Sequence, residues 1–339
     1  MQGILARFSR PMLQSPEPPG RMDPNTEEKR SGAKMSVPDN PYEPVTVDTT
    51  AHEVEGADTW YMIGISGIPD PDNEGHTSNA GFVVTDEGVV VYDALGTPPL
   101  GFEMIRRIRE VTDQPIKYVI AGHYHADHIY GLQAFADHTD AKIIGQARAR
   151  DYLGGPGAVA RLEQRRGVLT PWVDEDTQII PPDEFFDDEY TIRLGGKTFR
   201  CVHAGPAHSP DDIIMVVEET GVVFAGDIVF DGRIPFLGDD ALDSENWVNR
   251  LEELMEMDLK FLVPGHGEAT DQASRAVKFT RDYLVKLREH MGAAVENMET
   301  FDEAYAAMDW SDYEDLPAFE QTNRSNANAV YLEMEEKLF

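Results

Sequence analysis

The amino-acid sequence predicts an α/β fold in which helices cover the outer faces of packed sheets. Short runs of β-branched residues, such as Gly88–Tyr92 (GVVVY), are typical of buried strands. Stretches with helical spacing of apolar residues follow these runs, and the order of strands then helices occurs in two similar halves of the chain. Histidine and aspartate side chains are concentrated just after several of the predicted strands.

The individual elements follow from apolar patterning. Strands are predicted at short apolar runs bounded by turn residues, namely 60–65, 81–85, 88–92, 117–121, 142–144, 190–194, 198–203, 213–218, 222–225 and 261–263. Helices are predicted where apolar residues recur every three or four positions, namely 102–111, 129–135, 146–153, 243–257, 272–297, 302–308 and 316–337. Residues 154–188 contain Gly154-Gly155-Pro156 and further prolines, so we expect an irregular excursion over one face there.

Three regions are predicted along the 339 residues. Residues 1–50 are rich in Pro, Gly, Ser and charge and lack apolar periodicity, so a disordered tail is expected. Its first 34 residues are weakly basic, unlike the rest, which makes Met35 a candidate for the true start. Residues 51–270 are predicted to form the main α/β domain, and residues 271–339 a C-terminal helical region.

The composition is strongly acidic, with 29 Lys and Arg against 62 Asp and Glu and a net charge of −33. Such a surface repels nucleic acid and anionic membranes, so neither is expected as a partner. We interpret the charge as a solvated surface, and we hypothesise adaptation to molar salt in a halophile. The single cysteine, Cys201, fits a reducing cytoplasmic location. No apolar run approaches the length of a membrane span, and the N-terminus lacks the apolar core of a secretory signal.

Residues 121–131 (AGHYHADHIYG) place four metal-binding side chains within six positions: His123, His125, Asp127 and His128. In an extended segment, side chains two residues apart point the same way, so His123 and His125 can hold one ion. Asp127 and His128 lie where the chain turns into a helix. Imidazole and carboxylate are ligands suited to zinc, with manganese and iron as alternatives.

Further candidates also follow strands, namely His208 in AGPAHSPDD, Asp227 in FAGDIVF, His266 in VPGHG and Asp93 in VVVYDAL. Catalytic residues of layered α/β folds gather at one end of the strands. Five histidines and two aspartates are too many for one tetrahedral ion, but they suit two ions that share a carboxylate and a water. Asp93 is expected to orient the histidine loop through hydrogen bonds. The other histidines are interpreted as ordinary polar residues, namely His52, His76, His138, His203 and His290.

These motifs, in this order, resemble those of the metallo-β-lactamase-fold hydrolase superfamily over about residues 55–270. The resemblance implies a four-layer αββα sandwich with the metals at one edge of the two sheets, and the helical region would be a C-terminal extension of this catalytic domain. It also implies a ligand set: His123, His125 and His208 on the first metal, Asp127, His128 and His266 on the second, and Asp227 bridging.

The aspartate at position 227 is usual in glyoxalase II, lactonases and related hydrolases of this superfamily and usually absent from true β-lactamases. The motif regions are also similar to the quinoprotein-relay or sulfur-oxidation-associated group. Glyoxalase II ends in helices that carry basic groups for glutathione, whereas residues 298–339 here hold only Arg324 and Lys337 as cations. We therefore expect the C-terminal helices to cap the sandwich or to form a homodimer contact.

The expected function is hydrolysis of a small ester, thioester, lactone or amide by two Zn²⁺ ions and a bridging hydroxide. Asp127 is expected both to bind metal and to accept the hydroxide proton during attack. Tyr124 and Tyr130 flank the cluster and are candidates to assist an oxyanion. Arg233 is a candidate to bind a substrate carboxylate.

Four alternatives stay open at this point. A persulfide dioxygenase shares the fold and the motif but uses a single iron. A metallo-β-lactamase is disfavoured by Asp227, and a nuclease of this fold is disfavoured by the acidic surface. A binding module without activity is disfavoured by the intact ligand set.

Overall fold

A computed structural model describes residues 39–238 and 241–338 of the chain. Its strands form two sheets. The first sheet has seven strands in sequence order, namely β1 His52–Val54, β2 Thr59–Met62, β3 Ala80–Thr85, β4 Gly88–Tyr92, β5 Ile116–Ile120, β6 Lys142–Gln146 and β7 Glu184–Phe186. The second has five strands in the order β12, β11, β10, β9, β8, with β8 Glu189–Leu194, β9 Lys197–His203, β10 Ile213–Val217, β11 Val222–Asp231 and β12 Phe261–Gly267.

Each sheet changes from antiparallel to parallel pairing along its width. In the first sheet β1 to β4 pair antiparallel, and β4 to β7 pair parallel. In the second sheet β8 to β11 pair antiparallel, and β12 joins β11 in parallel. The parallel strands are separated in sequence by helices, as a crossover connection requires.

Helices cover both outer faces. The described helices are α1 Pro98–Val111, α2 Ala126–Ile129, α3 Leu132–His138, α4 Ala149–Leu153, α5 Pro156–Leu169, α6 Ser244–Met255, α7 Ala273–Glu296, α8 Phe301–Ala307 and α9 Phe319–Leu338. Strand β4 shows how the layers are divided: Val89 and Val91 pack in one core with α1 and α3, whereas Val90 and Tyr92 pack in the core between the sheets. This is the alternation that a strand buried on both faces must have.

The second sheet repeats this arrangement. Val223 and Ala225 of β11 pack with α6, α7 and α9, whereas Phe224 belongs to the core between the sheets. Tyr92 joins the two sheets, since its ring stacks on Phe224 with centroids 5.4 Å apart and its hydroxyl donates to the Ile213 carbonyl. The predicted four-layer αββα sandwich is thus confirmed.

The excursion predicted as irregular contains two regular elements. Residues 154–188 contain helix α5 and strand β7. Pro156 stands in the first turn of α5, where its missing N–H leaves no hydrogen bond broken, so the Gly-Gly-Pro sequence starts a helix here. The helix buries only a narrow stripe, formed by Ala158, Leu162 and Leu169. Because its apolar periodicity is weak, no helix was predicted here.

The chain is already held in place before the predicted boundary at residue 50. The Thr46 amide donates to the Glu74 carboxylate at 2.8 Å, and Arg107 binds the carbonyl and hydroxyl oxygens of Thr49, each at 2.9 Å. The Trp172 indole donates to the Pro44 carbonyl at 3.2 Å. Residues 42–50 therefore lie along the first layer, and residues 1–38 of the predicted tail lie outside the described residues.

Three C-terminal helices lie over the second sheet, where α7 and α9 complete its outer core. The side chain of Asn326 in α9 accepts from the Leu237 amide at 2.9 Å and donates to the Pro235 carbonyl at 2.7 Å. These helices thereby fix the segment that follows β11. None of the described helices combines the length and apolar composition that crossing a bilayer needs.

Candidate metal centre

The histidine loop begins where β5 ends and runs into the single turn of α2. The Gly122 amide donates to the Asp93 carboxylate at 2.7 Å, and the His128 amide donates to the His125 carbonyl at 3.0 Å. A side chain at position 122 would collide with Tyr92 and Asp93, so glycine permits the loop to approach β4. The loop is therefore built around the end of β4.

One group of donor atoms comprises His123, His125, His208 and Asp227. The Nδ1 atom of His125 lies 3.0 Å from His123 Nε2 and 2.9 Å from His208 Nε2. The Asp227 carboxylate lies 3.3 Å from His208 Nε2. Four donor atoms from three separate segments of the chain thus face a common point.

A second group comprises Asp127, His128 and His266. The Nε2 atom of His266 lies 3.4 Å from the Asp127 carboxylate, and that of His128 lies 3.8 Å from it. Asp227 reaches this group as well, since its Oδ1 lies 3.2 Å from His128 Nε2 and its Oδ2 lies 3.3 Å from His266 Nε2. Its two carboxylate oxygens therefore face both groups.

The position of Asp227 depends on irregular backbone in β11. The register between β11 and β12 shifts next to Gly226, whose φ of +50° lies in the left-handed region. Gly265 of β12 passes so close that a Cβ atom there would stand 2.0 Å from Asp227 Oδ1. The two glycines of FAGD and PGHG thus place this carboxylate between the two histidine groups.

Several of the histidines are oriented through their second ring nitrogen. His128 Nδ1 lies 2.8 Å from the Asp93 carboxylate. His208 Nδ1 lies 2.9 Å from the Phe236 carbonyl, and His266 Nδ1 lies 2.7 Å from the Thr77 carbonyl. An acceptor at Nδ1 fixes the tautomer that leaves the Nε2 lone pair available to a metal ion. Asp93 therefore makes the hydrogen-bond contacts that its predicted role, orienting the histidine loop, requires.

The charges and hydrogen bonds of the cluster fit bound cations. Neither His128 Nε2 nor Asp227 Oδ1 has a hydrogen-bond partner among the described residues, although both are buried. Burial opposes ionisation of Asp227, but His266 and the other histidines hold the pKa of its carboxyl well below the usual range. Burial and the neighbouring His128 lower the pKa of His123 far below its ordinary value. A neutral His123 imidazole beside an ionised Asp227 carboxylate is the pair of protonation states that metal binding requires.

The other predicted site residues lie next to this cluster. The ring of Tyr124 is stacked on Tyr152 with centroids 3.9 Å apart, and Tyr130 is almost fully buried. Arg233 is 4% exposed, and its Nη1 lies 2.9 Å from His266 Nδ1. The catalytic roles of the tyrosines and the substrate role of Arg233 stay predictions. None of the histidines interpreted as ordinary residues belongs to either donor group in the described part of the chain.

The loop before β3 also supports the site, and the sequence patterns did not reveal it. The Thr77 hydroxyl donates to the Asp127 carboxylate at 3.3 Å, and the Ser78 hydroxyl donates to the Asp127 carbonyl at 2.5 Å. Asn79 binds three backbone groups of the His266 loop, namely those of Pro264, Gly265 and Gly267. Consecutive hydroxyl and amide residues directly before a strand were the available signal, because such residues bond to nearby backbone.

A buried acidic pair lies beside His208, and it too was not predicted from the sequence. The Asp212 carboxylate accepts from the Ser209 amide at 2.7 Å and from the Ser209 hydroxyl at 2.8 Å. Burial raises the pKa of the neighbouring Asp211 carboxyl to about 7. The SPDD sequence that carries this pair shapes the loop that presents His208.

Comparison with known proteins places this site in a family. The profile described as "Metallo-beta-lactamase superfamily" matches residues 74–266, which is more than half of the chain and includes all seven ligand candidates. A linear primary-alkylsulfatase from Pseudomonas sp. is 22% identical over 60% of this chain and 44% of its own length. Hydroxyacylglutathione hydrolase GloC from Haemophilus influenzae is 29% identical over 49% of this chain and 76% of its own.

The same fold occurs in solved structures. The sec-alkylsulfatase Pisa1 from Pseudomonas sp. superposes with a TM-score of 0.66 at 16% identity, covering 84% of this chain and 50% of that one. The chain therefore spans about half the length of the alkylsulfatases that it matches. With the motifs, the two sheets and the profile match in agreement, the chain belongs to the metallo-beta-lactamase superfamily.

Proposed function

We propose that the protein is a dinuclear zinc hydrolase that cleaves a small ester, thioester, lactone or amide. The observation that carries this proposal is the position of Asp227, whose two carboxylate oxygens face both histidine groups. A single ion would leave one of those groups without a cation. One ion would be held by His123, His125 and His208. The other ion would be held by Asp127, His128 and His266, and Asp227 would bind both ions.

When bound, two divalent ions lower the pKa of a shared water to about 7 and stabilise negative charge on the substrate. The chain's own residues position this chemistry. Asp127 is the most exposed of the aspartates in the cluster, at 16%, and its carboxylate is oriented by the Thr77 hydroxyl. We assign Asp127 to accept a proton from the attacking water, because a carboxylate held beside the reacting oxygen can act as a general base.

Arg233 contributes next to His266. Burial lowers the pKa of its guanidinium, and the Asp227 and Asp127 carboxylates oppose that change. The guanidinium lies against the imidazole, with its Nη1 2.9 Å from His266 Nδ1, and it donates to the Ile234 carbonyl at 3.3 Å. We propose that this contact positions His266, in addition to the predicted contact with a substrate carboxylate.

A sulfate ester is a second candidate substrate, and it is favoured by the similarity to the Pseudomonas alkylsulfatase over 60% of this chain. Sulfate esters are cleaved by water without an added oxidant, so the same residues would serve. The iron-dependent dioxygenase is the competing chemistry, since it needs one ion and molecular oxygen.

Metal quantification combined with a substrate screen tests the proposal. We expect about two zinc ions per chain and hydrolysis of at least one member of a panel of thioesters, lactones, carboxylic esters and sulfate esters in high KCl. β-Lactams and phosphodiesters complete the panel. An Asp127→Ala variant should fold and lose the hydrolysis. One iron per chain together with oxygen consumption would overturn the proposal.

A further inference from the structure

The segment at residues 232–238 follows strand β11 and contacts a ligand candidate in each of the two donor groups. Its Phe236 carbonyl lies 2.9 Å from His208 Nδ1, and Arg233 Nη1 lies 2.9 Å from His266 Nδ1. The segment is neither helix nor strand, so it has no hydrogen-bond ladder of its own to fix it. Whatever holds this segment therefore also holds these two contacts.

The C-terminal helical region holds the segment in place. The Asn326 side chain of α9 accepts from the Leu237 amide at 2.9 Å and donates to the Pro235 carbonyl at 2.7 Å. One side chain thus binds the residues on both sides of the carbonyl that faces the metal ligand. The Ile234 amide donates to the carbonyl of Pro317, just before α9, at 3.1 Å.

The position of Asn326 requires these hydrogen bonds. The residue is fully buried inside a helix, although asparagine is a poor helix former and a buried amide without partners is unfavourable. Its NH₂ group donates to Pro235 and also to the Tyr283 hydroxyl at 3.0 Å. Together with the bond from Leu237, these contacts fix the orientation of the amide. An apolar side chain would suffice in a helix that only covers the sheet, so the amide is explained by the segment that it binds.

Asn323, one turn earlier in α9, provides a contrast. It is also fully buried, and its side chain accepts from the Tyr283 hydroxyl at 2.8 Å and donates to the Tyr305 hydroxyl at 3.1 Å. Both tyrosines belong to the C-terminal helices. Asn323 therefore joins these helices to one another, whereas Asn326 joins them to the segment beside the metal centre.

The far end of this chain of contacts is the orientation of His208. A carbonyl acceptor at Nδ1 keeps the ring proton there and leaves the Nε2 lone pair available to a metal ion. That Nε2 atom lies 2.9 Å from His125 Nδ1 and 3.3 Å from the Asp227 carboxylate. The direction of a peptide carbonyl is set by the backbone on both sides of it. A displacement of residues 235 and 237 would therefore displace the acceptor that orients His208.

We propose that Asn326 is a positioning residue of the metal centre, which acts on His208 through the Phe236 carbonyl. Helix α9 then raises the metal affinity of the donor group that contains His208. Because such coupling is reciprocal, an ion bound there stabilises the docking of α9 on residues 232–238 by the same factor. This inference rests on the metal centre of the function proposed above, but it does not depend on the substrate.

Metal titration of two matched variants tests this role. Asn326→Ala removes the amide that binds the segment, and Asn323→Ala removes an equally buried amide from the same helix. The probe is Co²⁺, whose visible absorption reports on its ligands. In Asn326→Ala we expect one bound ion to be held about 10- to 100-fold more weakly, the loss that follows removal of a group supporting a ligand. Asn323→Ala should bind Co²⁺ within about twofold of the wild type.

Urea unfolding of the metal-free proteins provides the stability control. The midpoint should fall in both variants, since each loses buried hydrogen bonds. If Asn326→Ala has a lower midpoint but binds Co²⁺ as tightly as the wild type, the residue is only structural and the proposal is overturned. Equal weakening of Co²⁺ binding in the two variants would also overturn it, because the cause would then be a general loosening of the helices.

Hydrogen exchange of the wild type decides the question if either variant fails to fold. Bound Zn²⁺ should slow amide exchange in residues 232–238 and in the part of α9 around Asn326, and it should leave α8 unchanged. Equal exchange of residues 232–238 and α9 with and without Zn²⁺ would overturn the proposal.

These measurements use no substrate, so they separate this inference from the hydrolase proposal. If the variants differ in Co²⁺ affinity as expected but no substrate is hydrolysed, only the hydrolase proposal fails. If the wild type hydrolyses a substrate with two zinc ions but Asn326→Ala binds metal normally, only the role of Asn326 fails.

Discussion

At the scale of single residues, the metal centre depends on close backbone approach at glycine. Gly265 lies against Asp227, and Gly226 lies under the Tyr92 hydroxyl, where a Cβ atom would be 2.7 Å away. Neither contact tolerates a methyl group, because both neighbours are buried and are themselves held by the two sheets. The glycines are therefore as much a part of the site as its ligands.

We predict that Gly265→Ala displaces the Asp227 carboxylate and lowers hydrolytic activity by about 100-fold, since a shift near 1 Å at a reacting centre has an effect of that order. Zinc content should fall in parallel. Gly167→Ala is the control, because that glycine lies in α5 with nothing within 4 Å of an added Cβ. Full activity and two zinc ions in Gly265→Ala would contradict the role given to this contact.

A second prediction concerns the carboxylate beneath the histidine loop. The two oxygens of Asp93 face two donors, Gly122 N–H at 2.7 Å and His128 Nδ1 at 2.8 Å. An asparagine has one acceptor oxygen, so in Asp93→Asn one donor must face an NH₂ group. Metal affinity should fall about 10- to 100-fold, as it does when a supporting group of a ligand is lost.

Competition with a chromogenic chelator measures that affinity. Asp86→Asn, at an exposed turn position, should bind zinc as the wild type does. An unchanged affinity in Asp93→Asn would mean that His128 is oriented by other contacts.

The ligand motifs could be found in the sequence because metal chemistry restricts the residue types and their spacing. The groups that orient the ligands could not be found in this way. Thr77 and Asn79 act across the fold, on the Asp127 and His266 loops, and no local spacing relates them to those loops.

At the scale of elements, patterns were most informative where a strand or helix is buried on one or two well-defined faces. Strand β4 has the predicted bounds, and α7 begins and ends within one residue of them. Strands β11 and β12 continue beyond their predicted ends, through Asp227 and His266. The polar residues at those ends lie in strands because they serve the site, and hydrophobicity alone does not reveal this.

The contact between α7 and β11 provides an element-scale prediction. The buried Thr280 hydroxyl accepts from the Phe230 amide at 2.9 Å and donates to the Phe230 carbonyl at 2.8 Å. Thr280→Val keeps the shape but leaves both backbone groups unpaired. We expect the free energy of unfolding to fall by about 1–3 kcal/mol, the effect of leaving a buried polar group unsatisfied.

Urea unfolding at constant KCl measures this change. Thr191→Val makes the same substitution on an exposed strand position of β8 and should change stability by less than about 0.5 kcal/mol. Equal midpoints for the two variants would show that the Thr280 hydroxyl contributes nothing.

At the scale of the whole molecule, the dominant physical feature is the excess of acidic groups. The 29 basic residues can pair with fewer than half of the 62 acidic ones. The acidic residues without a basic partner therefore repel one another, which gives the net charge of −33 a destabilising effect. Most pairs of Lys or Arg with a carboxylate in the described chain have at least one exposed partner, such as Glu253 with Arg250, and such pairs add little stability. Burial of the layered core must therefore offset this repulsion.

Salt should consequently govern stability. The Debye length is about 10 Å at 0.1 M ionic strength and about 3 Å at 1 M, so molar KCl removes repulsion between carboxylates that are not in contact. We predict that the midpoint of urea unfolding rises between 0.1 and 2 M KCl, as the hypothesis of adaptation to high salt requires. Repeating the titration near pH 4.5, close to the sequence pI, gives the control, because the net charge there is small and KCl should have a much weaker effect. Equal stability at low and high KCl at neutral pH would exclude that adaptation, since a chain of this charge would then be stabilised by its core alone.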